Sequence, residues 1–190
     1  SSYRKNIINW YPFEEGNNVL EIGAGCGAIT AAFLDKGCSV TCCELSKRRS
    51  LINAYRHQKN ENLEIKVGNF EDLRIDKDYD YATLIGVFEY ANCFIDDENP
   101  YMAMLEKIRQ YLKTNGILII AIENKFGLKY WAGCREDHTG LLFEGIENYS
   151  STNVAKTFSK KELENMLKQA GYQDIIFYYP YPDYKFTSCI

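Results

Sequence analysis

Histidine is scarce in this chain, and metal-binding cysteine patterns are missing from it. There are two histidines, His57 and His138, and the seven cysteines form no C-x-x-C pair and no His/Cys cluster. No metal site is therefore expected from the spacing. An odd number of cysteines without scaffold spacing points to a reducing, cytoplasmic compartment. Cys38, Cys42 and Cys43 lie in or beside apolar runs, where a free thiol serves as a small hydrophobe. No apolar run approaches the roughly 20 residues of a membrane span, and no signal-peptide pattern is visible. Excess positive charge is lacking too. The formal net charge is −4, which argues against nucleic acid as the main partner. The densest basic cluster, Lys47-Arg48-Arg49, reads as the solvated start of one helix.

What is present is an ordinary globular composition, 46% apolar and 25% charged over 190 residues. That length suits a single domain, 1–190, burying about 70% of the surface its unfolded chain exposes. The chain begins at Ser1 and stops within what reads as a strand, the pattern of a piece of a longer protein. Tyrosine is abundant, and most of it is expected in core and sheet packing.

The hydrophobic pattern predicts a short N-terminal helix over 2–11, ended by Pro12. Strands follow at 17–22, 38–43, 63–67, 79–87 and 117–122. Helices are predicted over 28–36, from the Ser46 cap to about 58 with Leu51, Ile52 and Tyr55 as its apolar face, and from Asn99-Pro100 onward. Ser159-Lys160-Lys161-Glu162 reads as a capping box with Phe158 and Leu163 as its staple, opening a helix that ends at Gly171. Two more strands are expected at 172–179 and 185–190, the second antiparallel. The alternation predicts an α/β, Rossmann-like three-layer sandwich: a mostly parallel seven-stranded sheet, an antiparallel last strand, and helices on both faces. The one long irregular segment, about 124–157, follows a strand's C-terminal end and is expected to act as a lid or substrate insertion.

The chemistry concentrates in Val19-Leu20-Glu21-Ile22-Gly23-Ala24-Gly25-Cys26-Gly27-Ala28. A glycine-rich turn between a strand and a helix lets a ligand approach the backbone closely. Gly23-x-Gly25-x-x-Ala28 fits the dinucleotide fingerprint. The same loop also reads E-x-G-x-G-x-G from Glu21 to Gly27, and a carboxylate there suits a cationic ligand and opposes a pyrophosphate. Glu44 ends the second strand 21 positions after Gly23, where a carboxylate can accept both hydroxyls of a ribose.

The E-x-G-x-G-x-G pattern resembles motif I of class I S-adenosylmethionine-dependent methyltransferases. Gly68-Asn69-Phe70-Glu71-Asp72-Leu73 resembles that family's adenine-holding segment, with Asn69 where Asp is commoner. The resemblance implies a cofactor site of Glu21, Gly23, Ala24, Gly25, Gly27, Glu44, Leu45, Asn69, Phe70 and Glu71, completed by Gly86 and Val87 after the fourth strand. The N/D-P-P-Y/F motif of amino-group methylation is not present at Gly86-Val87-Phe88-Glu89-Tyr90. The run from Glu123-Asn124-Lys125-Phe126-Gly127-Leu128 through Glu136-Asp137-His138-Thr139-Gly140 resembles a bacterial subgroup found with glycosyltransferases and surface-glycan biosynthesis.

The resemblance implies methyl transfer from S-adenosylmethionine, leaving S-adenosylhomocysteine, to a hydroxyl oxygen of a glycan, sugar or small metabolite. His138, between Asp137 and Thr139, is the candidate general base, with fixing of the loop by hydrogen bonds as the alternative role. Tyr130, Trp131, Arg135, Glu136 and Tyr149 are candidate acceptor contacts. Two other readings stay open at this level: a non-catalytic S-adenosylmethionine-binding module of a glycan-assembly protein, and a nicotinamide-dependent oxidoreductase. Oligomeric state is open.

Overall fold

A computed structural model of the chain describes residues 2–75, 78–151 and 154–190. The described chain divides into two compact units. One comprises Ser1–Ile85, Gln110–Ala121 and Phe177–Ile190; the other comprises Gly86–Arg109 and Ile122–Ile176.

The first unit holds the sheet. Strands β1 (Asn18–Ile22), β2 (Ser39–Glu44), β3 (Leu63–Val67), β4 (Tyr79–Ile85) and β5 (Leu112–Ala121) run in the order β3-β2-β1-β4-β5, and all pairs are parallel. Central β1 is buried over Val19–Ile22, as expected for a strand with neighbours on both edges. Helices α1 (Asn6–Asn9), α2 (Thr30–Leu34) and α3 (Lys47–Arg56) belong to this unit. Every residue of α2 is buried, and α2 packs on β2 while α3 packs on β2 and β3. The core gathers Ile8, Phe13, Val19, Phe33, Val40 and Cys42 among others. Phe13 meets Phe33 edge to face at 5.1 Å.

The second unit carries α4 (Ala91–Phe94), most of α5 (Pro100–Tyr111), α6 (Leu128–Trp131) and α7 (Lys160–Gln169). The capping box at Ser159 and Glu162 forms as the sequence implies, and Phe158 and Leu163 are both buried. The predicted lid segment lies here; positions 152 and 153 within it fall outside the described residues. No helix among the described residues is long and apolar enough to cross a membrane.

Three expectations need correction. The sheet has five parallel strands among the described residues, not seven with an antiparallel last one. Residues 172–179 form no strand, although their aromatic and β-branched content favours one. Asp174 takes a left-handed φ of 52°, and Pro180 and Pro182 supply no ladder donor. Tyr178 instead packs on Trp10 at 4.7 Å, and Tyr172 donates its hydroxyl proton to the Leu105 carbonyl at 2.9 Å. The tail makes only an isolated antiparallel bridge between Tyr181 and Cys189. Strand β5 is accordingly an edge and half-buried.

The third correction concerns α3. Leu51, Ile52 and Tyr55 are exposed, and the buried face carries Ser50 and Asn53. A polar anchor, not apolar periodicity, fixes the rotation of this helix. Asn53 donates from Nδ2 to Thr30 Oγ1 at 3.3 Å and to Cys42 Sγ at 3.6 Å.

Phe33 is fully buried, and its ring is held by Phe13. Phe33→Ala should cost about 3–5 kcal/mol of unfolding free energy, measured by urea denaturation; a loss under 1 kcal/mol would contradict this core assignment.

Candidate functional site

The turn after β1 is built on three left-handed glycines: Gly23, Gly25 and Gly27 have φ of 73°, 56° and 76°. L side chains rarely adopt that conformation. At Gly27 the restriction is also steric, because a Cβ would run into the Asn53 amide and lie 3.1 Å from His57 Nε2. Backbone bonds tie the loop to β2, with Gly23 N–H donating to Cys43 O at 2.8 Å. Helix α3 and its cap hold the loop's other end. Arg56 donates to Cys26 O at 2.5 Å, and His57 Nε2 meets Gly27 O at 3.0 Å. His57 is therefore a loop anchor.

Two carboxylates serve this loop. Glu44 accepts from Gly25 N–H at 2.9 Å and from Ser46 N–H at 2.8 Å, so it links the glycine turn to the start of α3. Glu21 lies beneath the turn, 3% exposed. It accepts from Thr30 Oγ1 at 2.5 Å and from Cys42 Sγ at 3.3 Å, both through Oε2. Burial drives its pKa up to about 7 against the opposing pull of those two hydrogen bonds. A pocket of about 130 Å³ opens here, lined by Glu21, Gly23, Ala24, Gly25, Ile85 and Arg4 among others. Its lining thus brings an acidic residue, a basic residue and the glycine turn together.

The second unit has its own polar centre, built around Glu136 and His138. Glu136 Oε2 accepts from the backbone N–H groups of His138 and Thr139, each at 2.7 Å. Its Oε1 meets His138 Nδ1 at 2.7 Å and accepts from Tyr149 OH at 3.1 Å. Tyr149 is buried and also contacts Thr157 Oγ1 at 2.6 Å. With Nδ1 engaged, His138 Nε2 faces Glu89 Oε1 at 3.7 Å and Glu123 Oε2 at 3.8 Å. Burial alone would push the imidazole pKa down, but the Glu89 and Glu136 carboxylates raise it to about 9. Asp137 is taken up by Tyr130 OH at 2.5 Å and Lys129 Nζ at 2.6 Å.

Comparison with known proteins decides the family. A family model described as a methyltransferase domain matches residues 20–118, more than half of the chain. The chain belongs to the methyltransferase domain family. No curated protein sequence matches it. Among solved structures, phosphoethanolamine N-methyltransferase 2 of Haemonchus contortus, in complex with phosphomonomethylethanolamine and S-adenosylhomocysteine, is similar with a TM-score of 0.66 and 18% identity. That match covers 90% of this chain and 37% of the other. The YcgJ protein of Bacillus subtilis gives a TM-score of 0.63 at 19% identity, covering 92% of this chain and 70% of the other. Coclaurine N-methyltransferase, bound to N-methylheliamine and S-adenosylhomocysteine, gives 0.50 at 23% identity, covering 57% and 31%. The chain thus spans about a third of the length of two of these relatives. At these identities the likeness is one of fold.

Within this methyltransferase domain, Glu21, Gly23, Ala24 and Gly25 line one pocket. Glu44 and Gly27 brace the turn from behind. Leu45 follows Glu44 with an exposed side chain. Asn69, Phe70 and Glu71 begin beside Glu44, since Gly68 N–H donates to Glu44 O at 3.1 Å. Asn69 Oδ1 accepts from Glu71 N–H at 3.4 Å, and the buried Phe70 ring packs edge-on to Tyr111 at 6.0 Å. Gly86, at φ 68°, and Val87 belong to the second unit. Of the acceptor candidates, Tyr130, Glu136 and Tyr149 are buried in the His138 centre, whereas Trp131 and Arg135 are exposed; Arg135 donates to Gly140 O.

Sequence reasoning missed Arg4, Glu89 and Glu123. Arg4 sits in a segment read only for its apolar residues. Glu89 and Glu123 stand immediately after strand-like runs, a position that is informative only when the two strands are known to be neighbours.

Glu21 has a testable linkage. Its folded pKa of about 7 exceeds the unfolded value near 4.5, so the folded state binds the extra proton between those limits. Stability from this group is complete below about pH 4.5 and is lost as pH rises through 7, a total of about 3 kcal/mol. Glu21→Gln should abolish that decline, leaving the variant up to about 3 kcal/mol more stable than the parent at pH 8. Urea denaturation at pH 5 and pH 8 checks it, and an identical pH dependence in both proteins would refute it.

Proposed function

We propose that this methyltransferase domain transfers a methyl group from S-adenosylmethionine to a hydroxyl oxygen of a glycan, sugar or small metabolite. The observation that carries the reading is the pocket in which Glu21 and Arg4 share the glycine loop. A methionine moiety is a zwitterion. Glu21 suits its α-ammonium, Arg4 suits its α-carboxylate in the bidentate manner of guanidinium, and the glycine backbone allows the chain of the ligand to lie close. Glu44 keeps lone pairs for a ribose diol beside the bonds it already accepts. Leu45, Asn69, Phe70 and Glu71 are assigned to the adenine.

Bound there, S-adenosylmethionine supplies a methyl carbon on a positively charged sulfur, a leaving group already activated. The protein's own task is alignment and exclusion of water, and alignment alone can be worth about 7–11 kcal/mol. The methyl group would pass to the acceptor oxygen, with the electron pair of the broken S–C bond left on sulfur. A hydroxyl acceptor must also release its proton. The carboxylates around His138 raise its pKa to about 9, which favours the protonated imidazole and counts against the general-base role expected from the sequence.

A glycan or sugar acceptor is supported by the resemblance of the 123–149 run to glycan-associated methyltransferases and by its exposed aromatics. Trp131 and Phe126 stand 6.5 Å apart at an interplanar angle of 34°, and both are exposed. Arg135 adds a donor on the same segment.

Calorimetry tests the donor. S-adenosylhomocysteine should bind one site, and NADH and NADPH should not; binding of a nicotinamide cofactor alone would sink the reading. Arg4→Ala and Glu44→Ala should each weaken S-adenosylhomocysteine by about 1.5–3 kcal/mol, the loss expected for charge-assisted bonds. Methyl transfer to a panel of sugar nucleotides and oligosaccharides, read by mass spectrometry, tests the acceptor; turnover confined to amines would refute the hydroxyl assignment.

A further inference from the structure

The charge balance around His138 is unusual. Three carboxylates, Glu89, Glu123 and Glu136, gather on one imidazole, and the side chains of all four are at most 6% exposed. Burying like charges together is unfavourable unless a cation intervenes. Four basic side chains of this unit have other partners: Lys129 pairs with Asp137, Lys125 with Glu162, Arg135 donates to the Gly140 carbonyl, and Lys156 lies over the Phe158 ring.

The orientation of the ring is as informative as the charge. Glu136 holds Nδ1 at 2.7 Å and is itself fixed by two backbone N–H groups and Tyr149. Metal-ligating histidines are commonly oriented this way, with the second nitrogen donating to a carboxylate. Nε2 is thereby aimed at the two remaining glutamates. Glu89 lies in the turn after β4, is 1% exposed, and its Oε2 has no hydrogen-bond partner among the described residues. One ligand atom from each of Glu89, Glu123 and His138 can be chosen so that all lie within 4.8 Å of one another. Ligands about 2.1 Å from a metal stand about 3.4 Å apart in tetrahedral and about 3.0 Å apart in octahedral coordination, so the observed Nε2–carboxylate separations of 3.7 and 3.8 Å close by about 0.3–0.8 Å on binding.

We propose that Glu89, Glu123 and His138 form a binding site for a divalent transition-metal ion, with Glu136 as the positioning residue for the imidazole. Two hard oxygen donors and one imidazole suit Mn²⁺ or a similar first-row ion. The site lies entirely within the unit of Gly86–Arg109 and Ile122–Ile176. A cation there offsets the carboxylate charge and leaves coordination positions for an oxygen ligand, whose proton it would acidify. That last role rests on the hydroxyl-transfer reading; the metal site itself does not.

Mn²⁺ is the probe of choice, because seven cysteines would compete for Zn²⁺. Titration of metal-stripped protein followed by electron paramagnetic resonance, without cofactor or acceptor, should show one bound Mn²⁺ and a rise in melting temperature. Glu89→Gln, nearly isosteric, should remove both effects while keeping the far-ultraviolet circular dichroism of the parent. Glu136→Gln should weaken Mn²⁺ by about 10–100-fold, the usual consequence of losing such a partner. Failure of the parent protein to take up Mn²⁺ at millimolar concentration, or equal uptake by folded Glu89→Gln, would overturn the proposal. Because S-adenosylhomocysteine binding is measured separately, either result leaves the methyl-donor reading to stand or fall by itself.

Discussion

A carboxylate buried under a glycine turn organises the first unit. Glu21 is placed on the central strand, where the register with β2 sets it beside Cys42. Its bonds to Thr30 and Cys42, and those of Asn53 to the same two side chains, join β1, β2, α2 and α3 through one polar knot. That knot explains why α3 turns a polar face inward and leaves Leu51, Ile52 and Tyr55 outside. It also explains the demand for glycine at 27, where the Asn53 amide occupies the space a Cβ would need. The turn that can receive a ligand is thus a consequence of where a polar network was buried.

The second unit applies the same physics to a different end. Glu136 is a satisfied carboxylate: backbone N–H groups, a tyrosine hydroxyl and an imidazole all turn toward it, and its pKa is lowered because those bonds outweigh burial. Glu89, by contrast, retains an oxygen without a hydrogen-bond partner among the described residues. A buried polar atom left in that state costs free energy. On the proposed metal site, that oxygen is held for a ligand beside the oriented imidazole.

Much of this was legible in the sequence because the signals were local. The β1 run, the glycine spacing, the Ser159 capping box and the span of β3 depend on neighbours within a few residues, and the structure reproduces them. What escaped depended on distant partners. The aromatic run at 172–179 has strand propensity, but propensity measures fit to a half-buried pleated surface, and Tyr178 found that contact on Trp10 instead. The inward face of α3 was misjudged because its amphipathic pattern was read for apolar residues, while Asn53 supplied the anchor. Arg4 was invisible as a pocket residue because nothing local links it to Gly23.

On the proposed cofactor reading, the ionisation of Glu21 sets fold against function at one atom. Burial of this carboxylate beneath the turn raises its pKa to about 7, so near neutrality the fold balances between a neutral acid and an unfavourable anion. A cationic ligand shifts that balance to the anion and recovers the desolvation cost as affinity. The same linkage predicts that a ligand bearing an ammonium group releases a proton when it binds below pH 7, and that a neutral analogue does not. On that reading a glutamine at this position would make a steadier domain and a poorer receptor, which gives a physical reason for a carboxylate on the central strand of the sheet.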